Sequence, residues 1–302
     1  MDPVLCMTTA NTAVNTGSST GVNAGVNARV TPDLRQSAPS LGLIVGQDWS
    51  RIDFISDLHL QPQEPGSFEA FEFFLKNTRA QALFILGDLF ELWVGDDVLD
   101  AQSGDFARVC VNALQSASQR MALFLLPGNR DFLLGNRFYE CAHVQPVSDP
   151  SVLQTQDKRY LLSHGDALCT GDLPYQAFRR TVRSAPWQTD FLSQPLNTRL
   201  RLAQEMRAQS MAQQRLQSEN QDGKTPTYFD LDRANCTQWL QVHQCQTLIH
   251  GHTHRPMNHD LGDGLERVVL SDWDAKAVPP RLEVLRLEGN ALKRHAIADC
   301  AR

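Results

Sequence analysis

Ala82-Leu83-Phe84-Ile85-Leu86-Gly87-Asp88 is the stretch on which the fold turns. Its five apolar residues read as a β-strand, and the run stops at a glycine and a carboxylate. The glycine allows close backbone approach where the strand ends. The same grammar recurs along the chain. Residues 52–56 lead into Asp57-Leu58-His59, and 122–126 into Gly128-Asn129-Arg130-Asp131. Residues 160–163 lead into His164-Gly165-Asp166, and 247–249 into Gly251-His252-Thr253-His254. Between the early strands, 68–77 and 106–117 carry helical apolar spacing. This alternation predicts an α/β fold with a largely parallel, helix-covered sheet. The ends of such strands converge on one edge, where ligands bind. Carboxylates, one amide and several imidazoles, with no cysteine among them, suit Mn, Fe or Zn pairs better than a structural zinc.

Composition sets the outer limits. A chain of 302 residues, 42% hydrophobic and 21% charged, can bury a full core as a globular protein. The net charge of −6 speaks against general nucleic-acid binding, which usually shows a basic footprint. Seven cysteines, odd in number and without a C-x-x-C pair, read as reduced thiols of a cytosolic protein, most of them core filler. No apolar run approaches the roughly 18 residues that span a bilayer.

Residues 1–48 differ from the rest: rich in Ser, Thr, Asn, Ala, Val and Gly, poor in charge, without sustained period. They read as a disordered low-complexity extension or a mis-assigned start, with a transit peptide as the alternative. Residues 49–302 form the expected folded domain. Within it, 152–163 read as two strands joined around Gln156-Asp157-Lys158, and 173–241 as a helical insertion broken by Pro174, Pro186, Pro195 and a loop at 220–226. Strands return at 247–249, 267–270 and 281–287 to close the sheet.

The insertion is a basic island in an acidic chain. Arg179, Arg180, Arg183, Arg199, Arg201, Arg207 and Arg215 stand against Asp190, Glu205 and Glu219. Phe178, Val182, Trp187, Phe191, Leu192, Leu196, Leu200 and Met206 are interleaved with them. One reading is a helical hairpin packed on the body with a solvated basic face. The other is a lid that meets an anionic, partly apolar ligand or a membrane surface.

The polar blocks make chemical sense together. Asp57 and His59 are two apart, so on an extended segment they point the same way and can grip one ion. Asp88 can bridge two cations, since each carboxylate oxygen ligates separately. Asn129 adds a neutral oxygen, and His252 and His254 can reach different ions from one turn. Two ions about 3.5–4 Å apart would bring the pKa of a shared water near neutrality and clamp a pentacoordinate phosphorus. There is no P-loop and no G-x-S-x-G elbow. Phosphoester or phosphoanhydride hydrolysis is the expected reaction.

The order D-x-H, G-D, G-N, H, G-H-x-H resembles the calcineurin-like metallophosphoesterase superfamily over about residues 51–287. Arg130 stands where that superfamily usually has histidine. This replacement resembles the UDP-2,3-diacylglucosamine hydrolases, the pyrophosphatases of lipid A synthesis. So do Gly128-Asn129-Arg130-Asp131-Phe132-Leu133-Leu134-Gly135, the string from Gly87 to Asp97, His164-Gly165-Asp166-Ala167-Leu168-Cys169-Thr170, Tyr175-Gln176-Ala177-Phe178-Arg179 and Ile249-His250-Gly251-His252-Thr253-His254-Arg255-Pro256. The resemblance implies a sandwich of two mixed β-sheets flanked by helices, with a helical cap. It implies two Mn2+ ions per subunit, one held by Asp57, His59, Asp88 and His254, the other by Asp88, Asn129, His164 and His252. Asn129, Arg130 and His252 would act in catalysis. Substrate contacts would fall on Asn129, Arg130, Asp172, Ser210 and His252, with Gln214 and Gln217 where the family offers an Asn and a Lys. Lys224 takes the lysine's place if 218–223 is an insertion.

Arg130 would neutralise charge on the phosphoryl oxygens, a task its permanent charge and planar fork suit. A structural ion pair with Asp131 or another carboxylate is its other reading. The expected reaction releases UMP and 2,3-diacylglucosamine 1-phosphate from a lipid-linked UDP-sugar. The expected location is peripheral, on the cytoplasmic face of the inner membrane, reached through the cap, and no nucleic-acid partner is expected. The alternatives are a generic dinuclear-metal nucleotide phosphodiesterase or pyrophosphatase, a nuclease, and a metal-free binding module. A generic phosphodiesterase would not require Arg130 or a basic cap. A nuclease would need a basic groove, and a binding module would be expected to have lost ligands.

Overall fold

The computed structural model describes residues 42–46, 48–156, 158–219 and 229–300; for 103 and 209–219 it describes the backbone alone. In chain order the first half runs β1 (Gly42–Val45), β2 (Arg51–Ile55), α1 (Pro65–Asn77), β3 (Ala82–Leu86), α2 (Asp105–Ser118), β4 (Ala122–Leu126), α3 (Asn136–Ala142) and β5 (Gln145–Pro146). It continues through the hairpin β6 (Ser151–Gln154) and β7 (Arg159–Ser163) to the helices α4 (Leu173–Val182), α5 (Ala185–Ser193), α6 (Leu196–Glu219) and α7 (Arg233–Val242). The strands β8 (Thr247–His250), β9 (Met257–Gly262), β10 (Leu265–Val269), β11 (Glu283–Glu288) and β12 (Ala291–Ala296) close the chain.

These strands form two mixed six-stranded sheets, in the orders β12-β11-β2-β3-β4-β5 and β1-β6-β7-β8-β10-β9. β2, β3, β4 and β5 run parallel, and β11 and β12 join antiparallel. In the second sheet β7, β8 and β10 are parallel to one another. The single largely parallel sheet suggested by the βαβ rhythm is thus divided in two, as the family resemblance implied.

Side-chain alternation explains the layering. Along β3, Leu83 and Ile85 point to the helix-covered face, where they join Phe71, Phe74, Cys110 and Leu114. Ala82, Phe84 and Leu86 point the other way, into the layer between the sheets, with Tyr160, Leu162 and Ile249. Every residue of β3 is buried, which is why its sequence shows no polar face. Register places Phe54, Phe84 and Phe124 side by side, with rings stacked 5.5 and 4.6 Å apart. Such aromatic pairs contribute ~0.5–1.5 kcal/mol each beyond their burial.

Two sequence expectations are corrected. Gly42–Val45, placed in the extension 1–48, is an edge strand paired parallel with β6 through Gly42↔Ser151 and Val45↔Gln154. The rest of that expectation, residues 1–41 and 47, lies outside the described residues, as does the loop at 220–226. The helix α7, placed in the insertion, belongs to the body: Cys236 and Leu240 pack on Leu161 and Leu248 of the second sheet. The short β5 and α3, and the polar edge strands β9 and β12, carry little apolar periodicity and were not anticipated. Among the described residues no helix is long and apolar enough to cross a membrane.

Candidate metal centre

Five strand ends deliver the polar blocks to one place. β2 leads to Asp57 and His59, β3 to Asp88, β4 to Asn129, β7 to His164, and β8 to His252 and His254. Backbone bonds lock the loops together: Asp57 N–H donates to Gly87 O (3.1 Å), His59 N–H to Asp88 O (3.0 Å) and Gly251 N–H to His164 O (3.0 Å). Asp57, His59, Asp88, His252 and His254 all have φ between 49° and 69°, the left-handed region that non-glycine residues avoid. Strain concentrated on five would-be ligands marks them as a built constellation. Two glycines make the approach possible. A Cβ on Gly87, itself at φ 90°, would lie 2.5 Å from His164 Nδ1, and one on Gly128 would lie 2.1 Å from Asp88 Oδ1.

The ligand atoms fall into two touching groups. Asp57, His59 and His254 form one, and Asp57, Asp88 and His164 the other, each within 4.8 Å. His59 Nε2 and His254 Nε2 are 3.3 Å apart, and His254 Nε2 is 3.3 Å from Asp57 Oδ1. Asn129 Oδ1 lies 2.9 Å from both His164 Nε2 and His252 Nδ1. Asp88 sits between the groups, with Oδ1 3.7 Å from His164 and Oδ2 4.0 Å from His59. All seven expected ligands are therefore brought together, with Asp88 facing both sides and Asp57 near both groups.

Orientation and charge test whether the site fits cations. His164 Nδ1 lies 3.0 Å from the Leu86 carbonyl, which only accepts, so Nδ1 donates and Nε2 faces the cluster. His59 Nδ1 is 3.1 Å from Glu91 Oε2, and His254 Nδ1 is 3.7 Å from Asp272 Oδ2, which Arg281 holds. Burial disfavours a charged His164, yet the carboxylates of Asp88, Asp57 and Asp166 outweigh it and push the imidazole up to about 9. His59 is raised in the same way, against its burial, by Glu91, Asp88 and Asp57. Asp57 is fully buried, which favours the neutral acid, but its bond to His254 and the nearby imidazoles hold it below the usual carboxylate range. His252 is pushed down to about 4 by burial and by His164, so it presents a neutral ring. The cluster demands positive charge at its centre, and divalent cations would supply it without protonating the imidazoles. The residues fit such ions.

Around this centre the cap is fastened by its arginines. Asp166, fully buried, accepts from Tyr175 Oη (2.6 Å) and Arg179 Nε (2.8 Å), while Arg183 donates to the Gly128 carbonyl (2.8 Å). Arg199 is buried and donates to Val94 O, Asp97 and Gln194 O. Arg207 pairs with Glu91, and Arg201 with Glu205 one turn on. Much of the expected basic face is thus engaged with carboxylates and carbonyls. The apolar residues divide: Trp187, Phe191, Leu196, Leu200 and Met206 pack on the body, whereas Leu173, Phe178, Leu192 and Phe229 are exposed.

The expected substrate residues occupy different settings. Arg130 N–H donates to Asp88 Oδ1 (2.8 Å), and its buried Nε has no hydrogen-bond partner among the described residues. Asp131 is turned away from it, accepting from Gly128, Leu89 and Phe90 amides, so their ion pair does not form. Asp172 caps α4 by accepting from Tyr175 N–H, and the Tyr175 ring lies 6.0 Å from that of His252. Ser210, Gln214 and Gln217 are on the α6 backbone but their side chains are outside the described set, and Lys224 lies outside it altogether. The sequence assigned no role to Glu91, Asp166 or Asp272; the first two lie inside the quoted strings, and Asp272 follows shortly after β10.

Comparison with known proteins agrees with this geometry. The calcineurin-like phosphoesterase family matches residues 50–256. A UDP-2,3-diacylglucosamine hydrolase of Aromatoleum aromaticum is 44% identical over 230 residues, covering 73% of this chain and 88% of the relative. Relatives of the same name from Xanthomonas oryzae pv. oryzae and Stenotrophomonas maltophilia are 38% and 40% identical, covering 81% and 78% of this chain and 98% and 94% of theirs.

Proposed function

The chain belongs to the calcineurin-like phosphoesterases, and from that premise we propose that it hydrolyses the diphosphate of UDP-2,3-diacylglucosamine, releasing UMP and 2,3-diacylglucosamine 1-phosphate for lipid A synthesis. One observation carries the reaction type: a single carboxylate, Asp88, faces imidazoles on both sides within a strained, convergent ligand set. The names of the relatives support the substrate.

The metal centre would take two Mn2+ ions, an ion suited to mixed oxygen and imidazole donors. Asp57, His59, Asp88 and His254 would hold one, and Asp88, Asn129, His164 and His252 the other. Such a pair activates water and screens phosphoryl charge. The chain's own residues do the rest. Arg130, whose buried Nε has no hydrogen-bond partner among the described residues, would bind the phosphoryl oxygens as charge builds on them. Asn129 and His252 would border the reacting phosphorus. Asp172, Ser210, Gln214 and Gln217 would meet the sugar and phosphate groups. The exposed Leu173, Phe178, Leu192 and Phe229 of the cap region would take acyl chains and rest on the cytoplasmic face of the inner membrane.

Manganese-loaded protein should release UMP from UDP-2,3-diacylglucosamine far faster than from a small, unacylated UDP-sugar. Equal rates on both would favour a generic nucleotide pyrophosphatase.

A further inference from the structure

Glu91 is nearly buried and touches two parts of the molecule at once. Its Oε2 lies 3.1 Å from His59 Nδ1, and its Oε1 lies 2.5 Å from Arg207 Nη1 on the cap helix α6. Its backbone is fixed beside the ligand loop, with Leu60 N–H donating to Leu89 O (2.9 Å) and Glu91 N–H to Leu60 O (3.2 Å). At its base the cap helix is tied down by Arg199, about two turns before Arg207. Between them Ala203 and Met206 pack on the core.

Both contacts are close ion pairs rather than aligned hydrogen bonds, so Glu91 couples His59 and Arg207 through the charge and placement of one carboxylate. We propose that Glu91 is a positioning residue that links the cap to the metal centre. One oxygen sets the His59 imidazole with Nε2 toward the ligand cluster, and Arg207 holds the other oxygen in the matching orientation. This rests on the metal-centre reading above and adds a consequence. If docking of α6 improves the grip on metal, metal must improve docking of α6 by the same factor.

Calorimetric titration of the metal-free full chain with Mn2+ tests both directions, together with hydrogen exchange of the α6 amides over residues 200–208. Glu91→Gln should weaken Mn2+ binding about 10–100-fold, the usual cost of losing a ligand-orienting partner. Arg207→Gln should weaken it about 5-fold or more. The double variant should be no worse than Glu91→Gln, and Arg207→Lys should recover part of the loss. Mn2+ should add protection to α6 in the unaltered chain and not in Glu91→Gln. Unchanged Mn2+ affinity in Arg207→Gln, additive losses in the double variant, or exchange indifferent to Mn2+ would overturn the proposal. If Glu91→Gln does not fold, the Arg207 variants and the exchange of the unaltered chain still decide. Failure of the unaltered chain to bind Mn2+ would instead strike the metal-centre reading itself.

Discussion

Arg130 joins the centre in two separate ways. Its amide supports Asp88, while its buried Nε has no hydrogen-bond partner among the described residues. Arg130→Ala retains the amide, so bound metal should stay at the level of the unaltered chain while turnover falls about 10²–10³-fold, the usual effect of removing one charge-stabilising donor. Loss of metal, or near-normal turnover, would deny the side chain its role; metal analysis beside steady-state kinetics reads both. Arg130 and the seven candidate ligands could be singled out because each lies in a short block closely following a strand, and the structure brings them together. Glu91, Asp166 and Asp272 could not. Their meaning comes from His59, Tyr175 and Arg281, groups supplied by other loops and helices, and no local spacing announces such contacts.

The elements that position the site depend on one buried polar tie. Asp53 of β2 and Arg286 of β11 face each other in register, joined by bonds of 2.7 and 2.9 Å, and Thr78 adds a hydroxyl at 2.6 Å. Both charges are nearly free of solvent. Arg286→Leu strands a buried carboxylate and should cost ~3–5 kcal/mol, whereas Asp53→Leu with Arg286→Leu should regain much of it. Urea unfolding of the two variants distinguishes this from a simple packing loss, in which the double variant would be the worse. This pair also shows where strand reading runs out. β3 and β4 were legible because apolar residues fill both their faces, and β2 because Ile52, Phe54 and Ile55 outweigh its one buried carboxylate, Asp53. β1, β9 and β12 are sheet edges with half-exposed side chains; β1 pairs with the distant β6, while β9 and β12 form hairpins with β10 and β11 but carry too many polar residues to show a strand period. The helical insertion was legible from its spacing, but α7 was misassigned to it because an amphipathic helix does not declare which surface it covers.

At the scale of the molecule, an acidic chain of net charge −6 carries a cap whose arginines are largely paired and whose apolar side chains are partly exposed. Membrane contact would then depend on apolar insertion with modest help from charge. Sedimentation with anionic vesicles should recover the protein, and Leu173→Ser with Phe178→Ser should lower that recovery while leaving hydrolysis of detergent-dispersed substrate measurable. Recovery unaffected by these changes would remove the cap from membrane binding. We propose that the convergent strand ends build a two-metal site and that water attacks the UMP-side phosphorus of the acylated UDP-sugar. The direct measurement is manganese-dependent turnover of UDP-2,3-diacylglucosamine in ¹⁸O-enriched water. Label should enter UMP. Label in the lipid phosphate, or UMP release that persists after all divalent metal is removed, would contradict it.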